Sequence, residues 1–185
     1  RRGKGFGVRR AVKLAKGSII GFADADNKTP IAEFDKFTGP LSEGYEIVIG
    51  SRGVGAQIGH PQPLYRRLGS IGFGVFMHMV VGLRSVRDTQ CGFKFFQREA
   101  AMHLFERQRI DGYMFDVEIL YLAEQAGYRI SQIPVRWRDD ADSRLQLLSG
   151  NLQNVKDIFR IRSMHRPSKS RAAGHRHAAA DGKET

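Results

Sequence analysis

Two runs of consecutive apolar residues constrain this chain more than any other feature. Residues 18–23 (S-I-I-G-F-A) and 46–51 (E-I-V-I-G-S) have strand length, and in the second the apolar positions are contiguous. Contiguity rather than alternation marks a strand buried on both faces, as in sheets covered by helices. A third segment, residues 128–138 (Y-R-I-S-Q-I-P-V-R-W-R), alternates apolar and polar positions and reads as a strand, with Pro134 favouring an edge or a strand end. Helical spacing fills the intervals. Val8, Ala11, Val12 and Ala15 follow a glycine-spaced loop (Gly3, Gly5, Gly7), with Gly17 as the stop. Thr29 and Pro30, with Glu33 behind them, predict a second helix capped by Thr29. Helices are also expected over residues 65–83, 97–105, 115–126 and 151–164, with a loop at 53–63 and irregular chain at 84–94. Strands alternating with helices imply an α/β domain with a mostly parallel sheet, whose ligand crevice lies at the carboxyl ends of its strands.

Composition supports a packed domain. The 185 residues are 41% hydrophobic and 26% charged, a globular mix that argues against disorder, collagen and coiled coil. A single cysteine, Cys91, rules out an internal disulfide framework and fits a reducing compartment. No apolar run reaches the roughly 18 residues of a membrane span. The stretch 68–83 is the longest without charge, and it contains His78 and four glycines. It reads equally as an interfacial helix or as a buried core helix. The chain opens on charges with no signal-peptide pattern, and Arg1 in place of methionine reads as a processed chain or a piece of a longer one.

The net charge of +11 is uneven. Residues 1–16 carry +7, residues 160–185 carry +5, and the span between them carries −1. Basic ends attract polyanions such as nucleic acid, anionic lipid or nucleotide phosphates, or they serve as solvated faces. The charge avoids the folded middle and no basic motif interleaved with aromatics appears, so nucleic acid is not an expected partner. Residues 163–185 have almost no large apolar side chains and are expected to form a disordered basic tail behind a domain spanning 1–162.

The chemistry-bearing residues fall at strand ends. Asp24-Ala25-Asp26 follows the first run, and two carboxylates there suit a hard cation bound together with substrate phosphates. The same pattern alone is also that of solvated loop acids. Ser51-Arg52 ends the second strand, and Arg136 and Arg138 share a face of the third. Paired guanidiniums suit an oligophosphate, or salt bridges to Asp139 and Asp140. The loop around Lys4 offers backbone amides and a mobile charge to an anion, or is a plain basic surface. Asp88 in D-T-Q-C-G-F-K reads as a base or a structural cap, and Cys91 as a packed small residue rather than a nucleophile. Asp116 and Glu118 do not share a helix face, so one points at a site while the other caps or is solvated. No His/Cys cluster has zinc spacing, and His175 and His177 lie in the tail.

Taken in order, F-A-D-A-D-x-x-T-P, I-V-I-G-S-R, R-D-T-Q-C-G-F-K, R-I-D-G-Y-x-F-D-V-E and P-V-R-W-R-D-D resemble the family 2 glycosyltransferases, specifically the dolichyl-phosphate β-glucosyltransferase type. The polyprenyl-phosphate mannose synthases share a looser version. The resemblance covers about residues 1–162. It implies a GT-A (Rossmann-like) fold and inverting transfer of a sugar, glucose from UDP-glucose before mannose from GDP-mannose. The acceptor it implies is a polyprenyl or dolichyl phosphate at the cytoplasmic face of a membrane to which the chain is peripheral. By residue it implies Asp24 and Asp26 for the donor and its Mg²⁺ or Mn²⁺. It also implies Lys4 and Arg52 for the donor, Arg66, Arg67, Gln90, Arg136 and Arg138 for the acceptor phosphate, and Asp88, Asp116 and Glu118 as candidate catalytic acids. The family carries further strands ahead of the position matching Arg1. The expectation is therefore a GT-A domain lacking its first strands and inactive alone, with a non-enzymatic polyanion-binding or remnant role as the alternative.

Overall fold

The computed structural model describes residues 3–53, 55–58, 64–138 and 149–165, and for 58, 64–68, 70 and 149–151 the backbone alone. The expected tail beyond residue 165, and Asp139, Asp140, His175 and His177, lie outside the described residues.

The elements run α1 (Lys4–Leu14), β1 (Ile19–Ala23), a 3-10 turn (Ile31–Phe34), α2 (Asp35–Ser42), β2 (Ile47–Ser51), β3 (Gln57–Ile58), α3 (Leu64–Val81), β4 (Phe93–Gln97), α4 (Arg98–Arg107), α5 (Phe115–Ala126), β5 (Ile130–Pro134), β6 (Arg136–Trp137) and α6 (Ser149–Met164). Four strands form one sheet in the order β1-β4-β2-β5. β2 and β5 pair in parallel, while β4 is antiparallel to both β1 and β2. The sheet is therefore mixed rather than mostly parallel in its pairing, although β1, β2 and β5 all point the same way. Their carboxyl ends and the amino end of β4 meet on one edge. Asp24 N–H donates to the Gly92 carbonyl at 2.8 Å, and Ser51 pairs with Pro134.

Both faces of the sheet are covered. On one, Ile20, Ile47, Ile49 and Phe96 pack with Leu104, Phe115, Leu120 and Ile158 from the larger helical layer. On the other, Val48, Phe93 and Val135 pack with Phe37 and Leu41 of α2. This two-sided burial accounts for the contiguous apolar run in β2, whose first four residues are all buried. The architecture is a sheet between helical layers, as expected.

Several local expectations change. α1 begins at Lys4, so Gly5 and Gly7 lie inside a helix and not in a loop. A Cβ on Gly5 would sit 2.6 Å from Phe115 Cβ and 2.7 Å from the Ile110 carbonyl, so this glycine serves close helix packing. Thr29 does not cap a helix: Pro30 precedes the 3-10 turn and no side-chain cap bond forms there. Residues 93–97 form β4, where irregular chain and a helix start were expected. The last strand breaks at buried Val135 into β5 and β6, and β6 pairs with β3 in a separate two-stranded sheet. α5 is buried over Phe115–Ala123, and it ends at Gly127 in the left-handed region (φ 77°). In α3, Met77 and Val81 are buried while Ile71, Val75 and Met79 are exposed. No described helix is long and apolar enough to cross a membrane.

Candidate functional site

The rim where β1, β2 and β5 end gathers most of the sequence-selected charges. Asp24 leaves β1 into a tight turn: Asn27 N–H donates to the Asp24 carbonyl, and Asn27 takes a left-handed φ of 52°, which Asn tolerates. The two aspartates of this turn have side chains 40% and 49% exposed, Asp24 the less. Asp26 contacts Lys28, by its backbone amide at 3.3 Å and its ammonium at 3.7 Å.

Lys4, in the first turn of α1, reaches across to this turn. Its Nζ is 2.6 Å from Asp24 Oδ1 and 3.8 Å from Asp116 Oδ2. Desolvation works against the Lys4 ammonium, yet Asp116 and Asp24 together raise its pKa. Asp116 sits in the first turn of buried α5, where the helix dipole favours a carboxylate. Its Oδ1 is 2.7 Å from the ammonium of Lys94, a fully buried residue of β4. The contact is an ion pair without an aligned hydrogen bond. Burial raises the Asp116 carboxyl, against the pull of Lys94 and Lys4. Lys94 also donates to the Cys91 carbonyl at 2.5 Å.

Beside this cluster lies a second. Asp88 accepts three bonds from Arg52: the backbone N–H at 2.9 Å, Nε at 2.8 Å and an Nη at 2.9 Å. Burial alone would raise the Asp88 carboxyl, but the Arg52 bonds outweigh it and hold it below its ordinary value. Desolvation likewise opposes the Arg52 charge and is overcome chiefly by Asp88, with a further contribution from Asp24. Arg52 also lies 5.5 Å from the Trp137 ring, and Lys28 lies 5.7 Å from the same ring. Asp88 thus orients Arg52 as a rigid fork.

The remaining expectations divide. Arg136 is on the rim, where its Nε donates to Glu33 at 2.6 Å and its backbone N–H at 3.0 Å. Arg138 is exposed, its N–H bonded to the Lys28 carbonyl. Gln90 donates its backbone N–H to Asp88 at 3.2 Å. Arg66 and Arg67 lie in the first turn of α3, and their side chains are outside the described residues. Glu118 is not brought to the rim. It is fully buried and accepts from the amides of Arg109 (2.9 Å) and Ile110 (2.8 Å), with His165 Nε2 2.6 Å away. Cys91 is buried, and burial pushes its thiol up.

Sequence reasoning missed two residues. Glu33, only 1% exposed, binds Lys36 and Arg136, and those bonds overcome burial to hold its carboxyl at about 2. Lys94 is the other, and its signal was a lone basic residue among four apolar or aromatic neighbours in G-F-K-F-F.

No protein-family model matches the chain. Among curated proteins it is 34% identical over 167 residues to the dolichyl-phosphate beta-glucosyltransferase of Dictyostelium discoideum, covering 87% of this chain and 51% of that protein. It is 36% identical over 170 residues to the dolichyl-phosphate beta-glucosyltransferase of Drosophila melanogaster, covering 86% and 51%. Over most of its length the chain is similar to dolichyl-phosphate beta-glucosyltransferases. It spans about half the length of the curated relatives it matches. Among solved structures, glucosyl-3-phosphoglycerate synthase from Mycobacterium tuberculosis in complex with UDP superposes with a TM-score of 0.65 at 20% identity, over 91% of this chain and 57% of that one. That similarity supports the GT-A fold for this domain. The same synthase has been crystallised with Mn²⁺, UDP and phosphoglyceric acid.

Proposed function

We propose that this sequence carries out inverting transfer of glucose from UDP-glucose to a dolichyl or other polyprenyl phosphate, at the cytoplasmic face of a membrane. The observation that carries the reading is the meeting of Asp24, Lys4 and Asp116 beside the Arg52–Asp88 pair on one sheet edge, in a chain similar to these glucosyltransferases. The relatives compared are named as glucosyltransferases, which does not favour GDP-mannose.

The acceptor phosphate oxygen attacks the anomeric carbon from the face opposite the leaving group. The bond from that carbon to the diphosphate breaks, and UDP departs with the electron pair. A phosphate monoester has a second pKa near about 6, so it reaches the site largely dianionic and needs little help from a base. The difficulty is to hold two anions together. Arg52, locked by Asp88, presents guanidinium to phosphate, and Lys4, Arg136 and Arg138 extend the positive rim. We assign Arg66, Arg67 and Gln90 to the acceptor side, as the resemblance of their motifs to this glycosyltransferase type implies. Asp116 acts by fixing Lys4, and Glu118 by fixing the α4–α5 connection.

The residues fit a divalent cation. Asp24 and Asp26 are hard oxygen donors on an exposed turn, the set that Mg²⁺ or Mn²⁺ uses together with substrate phosphates. Among the described residues no group of three or more His, Cys, Asp or Glu side chains is placed to hold an ion, so further ligands come from substrate or water. Bound there, the ion would neutralise charge on the leaving diphosphate.

The test is labelled-glucose transfer by the native protein carrying this sequence. UDP-glucose, dolichyl phosphate and Mn²⁺ should yield labelled lipid, and Asp26→Ala should abolish it. Labelling from GDP-mannose in preference, or undiminished activity in Asp26→Ala, would overturn the reading.

A further inference from the structure

Lys4 already occupies the exposed carboxylate of the proposed metal site: its ammonium is 2.6 Å from Asp24 Oδ1. A second carboxylate oxygen, Asp116 Oδ2, waits 3.8 Å from the same nitrogen. The two differ in kind. Asp24 is part of an exposed turn, whereas Asp116 is buried and held by buried Lys94. The backbone carrying Lys4 is tightly constrained. A Cβ on Gly3 would strike the Asp111 carbonyl, and one on Gly5 would lie 2.6 Å from Phe115 Cβ. Only the Lys4 side chain, with its flexible four-carbon stem, has room to respond.

We propose that Lys4 is a resident counter-ion of Asp24 that an incoming divalent cation displaces onto Asp116, with the Lys94–Asp116 pair as the fixed seat that receives it. The inference rests on Asp24 as a metal-binding residue and goes beyond that assignment. A dication and an ammonium on one carboxylate repel each other strongly at partial burial. Moving about 1 Å toward Asp116 relieves that repulsion without leaving the ammonium unpaired. Asp116 has reason to accept it: Lys94 pairs with its Oδ1, so Oδ2 is the oxygen turned to Lys4, and a closer cation favours the ionised form. The apo site thus carries no bare carboxylate pair, and the loaded site carries no stranded lysine.

The experiment is Mn²⁺ titration of the full chain, followed by electron paramagnetic resonance of the free ion, with melting curves as a folding control. Removing the competitor in Lys4→Met should tighten Mn²⁺ binding roughly tenfold, and Lys4→Arg should leave it near the starting value. Asp116→Asn should weaken binding severalfold, although Asp116 does not touch the ion. In the Lys4→Met background the same Asn substitution should have no effect, because it acts through Lys4; a purely structural or through-space role would persist there. If Asp116→Asn does not fold, Asp116→Leu with Lys94→Met removes the seat without a lone buried charge. Unchanged or weaker Mn²⁺ binding in Lys4→Met, with binding still abolished by Asp24→Asn, overturns the inference and leaves the metal assignment standing. No saturable binding in any variant overturns both.

Discussion

Gly92→Ala tests the site through a single methyl group. The new Cβ would overlap the Asp24 carboxylate carbon and both of its oxygens. The strand ladder cannot slip to make room, because Asp24 N–H is bonded to the Gly92 carbonyl at 2.8 Å and Ala23 pairs with Phe93. Gly92 is not among the glycines with positive φ, so alanine suits its backbone. The Asp24 side chain must therefore rotate. An off-rotamer side chain costs about 0.5–1.5 kcal/mol. The lost Lys4 contact, with both side chains partly exposed, costs about 0–1 kcal/mol. The lower unfolded-state entropy of alanine returns about 0.4–1 kcal/mol. The net loss is about 1 kcal/mol, a fall in Tm of about 2–4 °C for a chain of this size. Cation binding suffers more. A unit charge pair at 4 Å is worth about 4 kcal/mol at an effective dielectric near 20, and losing even a quarter of that weakens binding about fivefold. Mn²⁺ titration and a melting curve on the same sample measure both quantities. Gly7→Ala, whose Cβ would meet nothing within 4 Å, is the control and should change neither downward. A Gly92→Ala protein that melts near the parent temperature and binds Mn²⁺ equally well would refute the placement of Asp24 in the cation site.

Arg52→Lys keeps the charge and loses the fork, leaving Asp88 with fewer bonds; stability should fall by about 1–2 kcal/mol in denaturant titrations, since Arg52 is partly exposed, and transfer activity should fall further. Glu33 titrates at about 2 against an ordinary 4.5, so it contributes stability above about pH 4.5 that is lost as pH falls toward about 2. Glu33→Gln should flatten that part of the stability–pH curve, and an unchanged curve would count against the Arg136–Glu33 pairing. Cys91, buried with its thiol pushed up, should resist alkylation at neutral pH until the protein unfolds, as a timed iodoacetamide reaction read by mass spectrometry would report.

The sequence disclosed those parts of the fold whose signals are local. β1, β2 and α5 appear where apolar runs and helical spacing place them, and the D-x-D turn sits at a strand end as expected. β4 was illegible because Lys94 interrupts its apolar run, and only the tertiary structure supplies the buried carboxylate that makes a lysine tolerable there. Glu33 was read as helix-start chemistry, but its partner Arg136 lies 103 residues away, beyond any local pattern. Gly5 and Gly7 suggested a loop, since spacing alone does not reveal the Phe115 Cβ and Ile110 carbonyl that press against Gly5. At the site, residue types were readable while pairings were not. Arg52 and Asp88 were assigned separate tasks, and the structure joins them into one unit.

The position of β4 also dictates an order of assembly. β1 and β2 are sequence neighbours among the long strands, yet they are not hydrogen-bonded to each other; β4, reached only at residue 93, lies between them. Among the described strands, neither β1 nor β2 has a bonded neighbour until β4 is made, so their sheet does not form from these two alone. It must wait for the segment carrying Lys94, and through Lys94 for α5. Closing the sheet and creating the charged rim are then one late event, governed by contacts of long sequence separation. Until β4 is in place, β1 and β2 are not joined and the charged rim is incomplete.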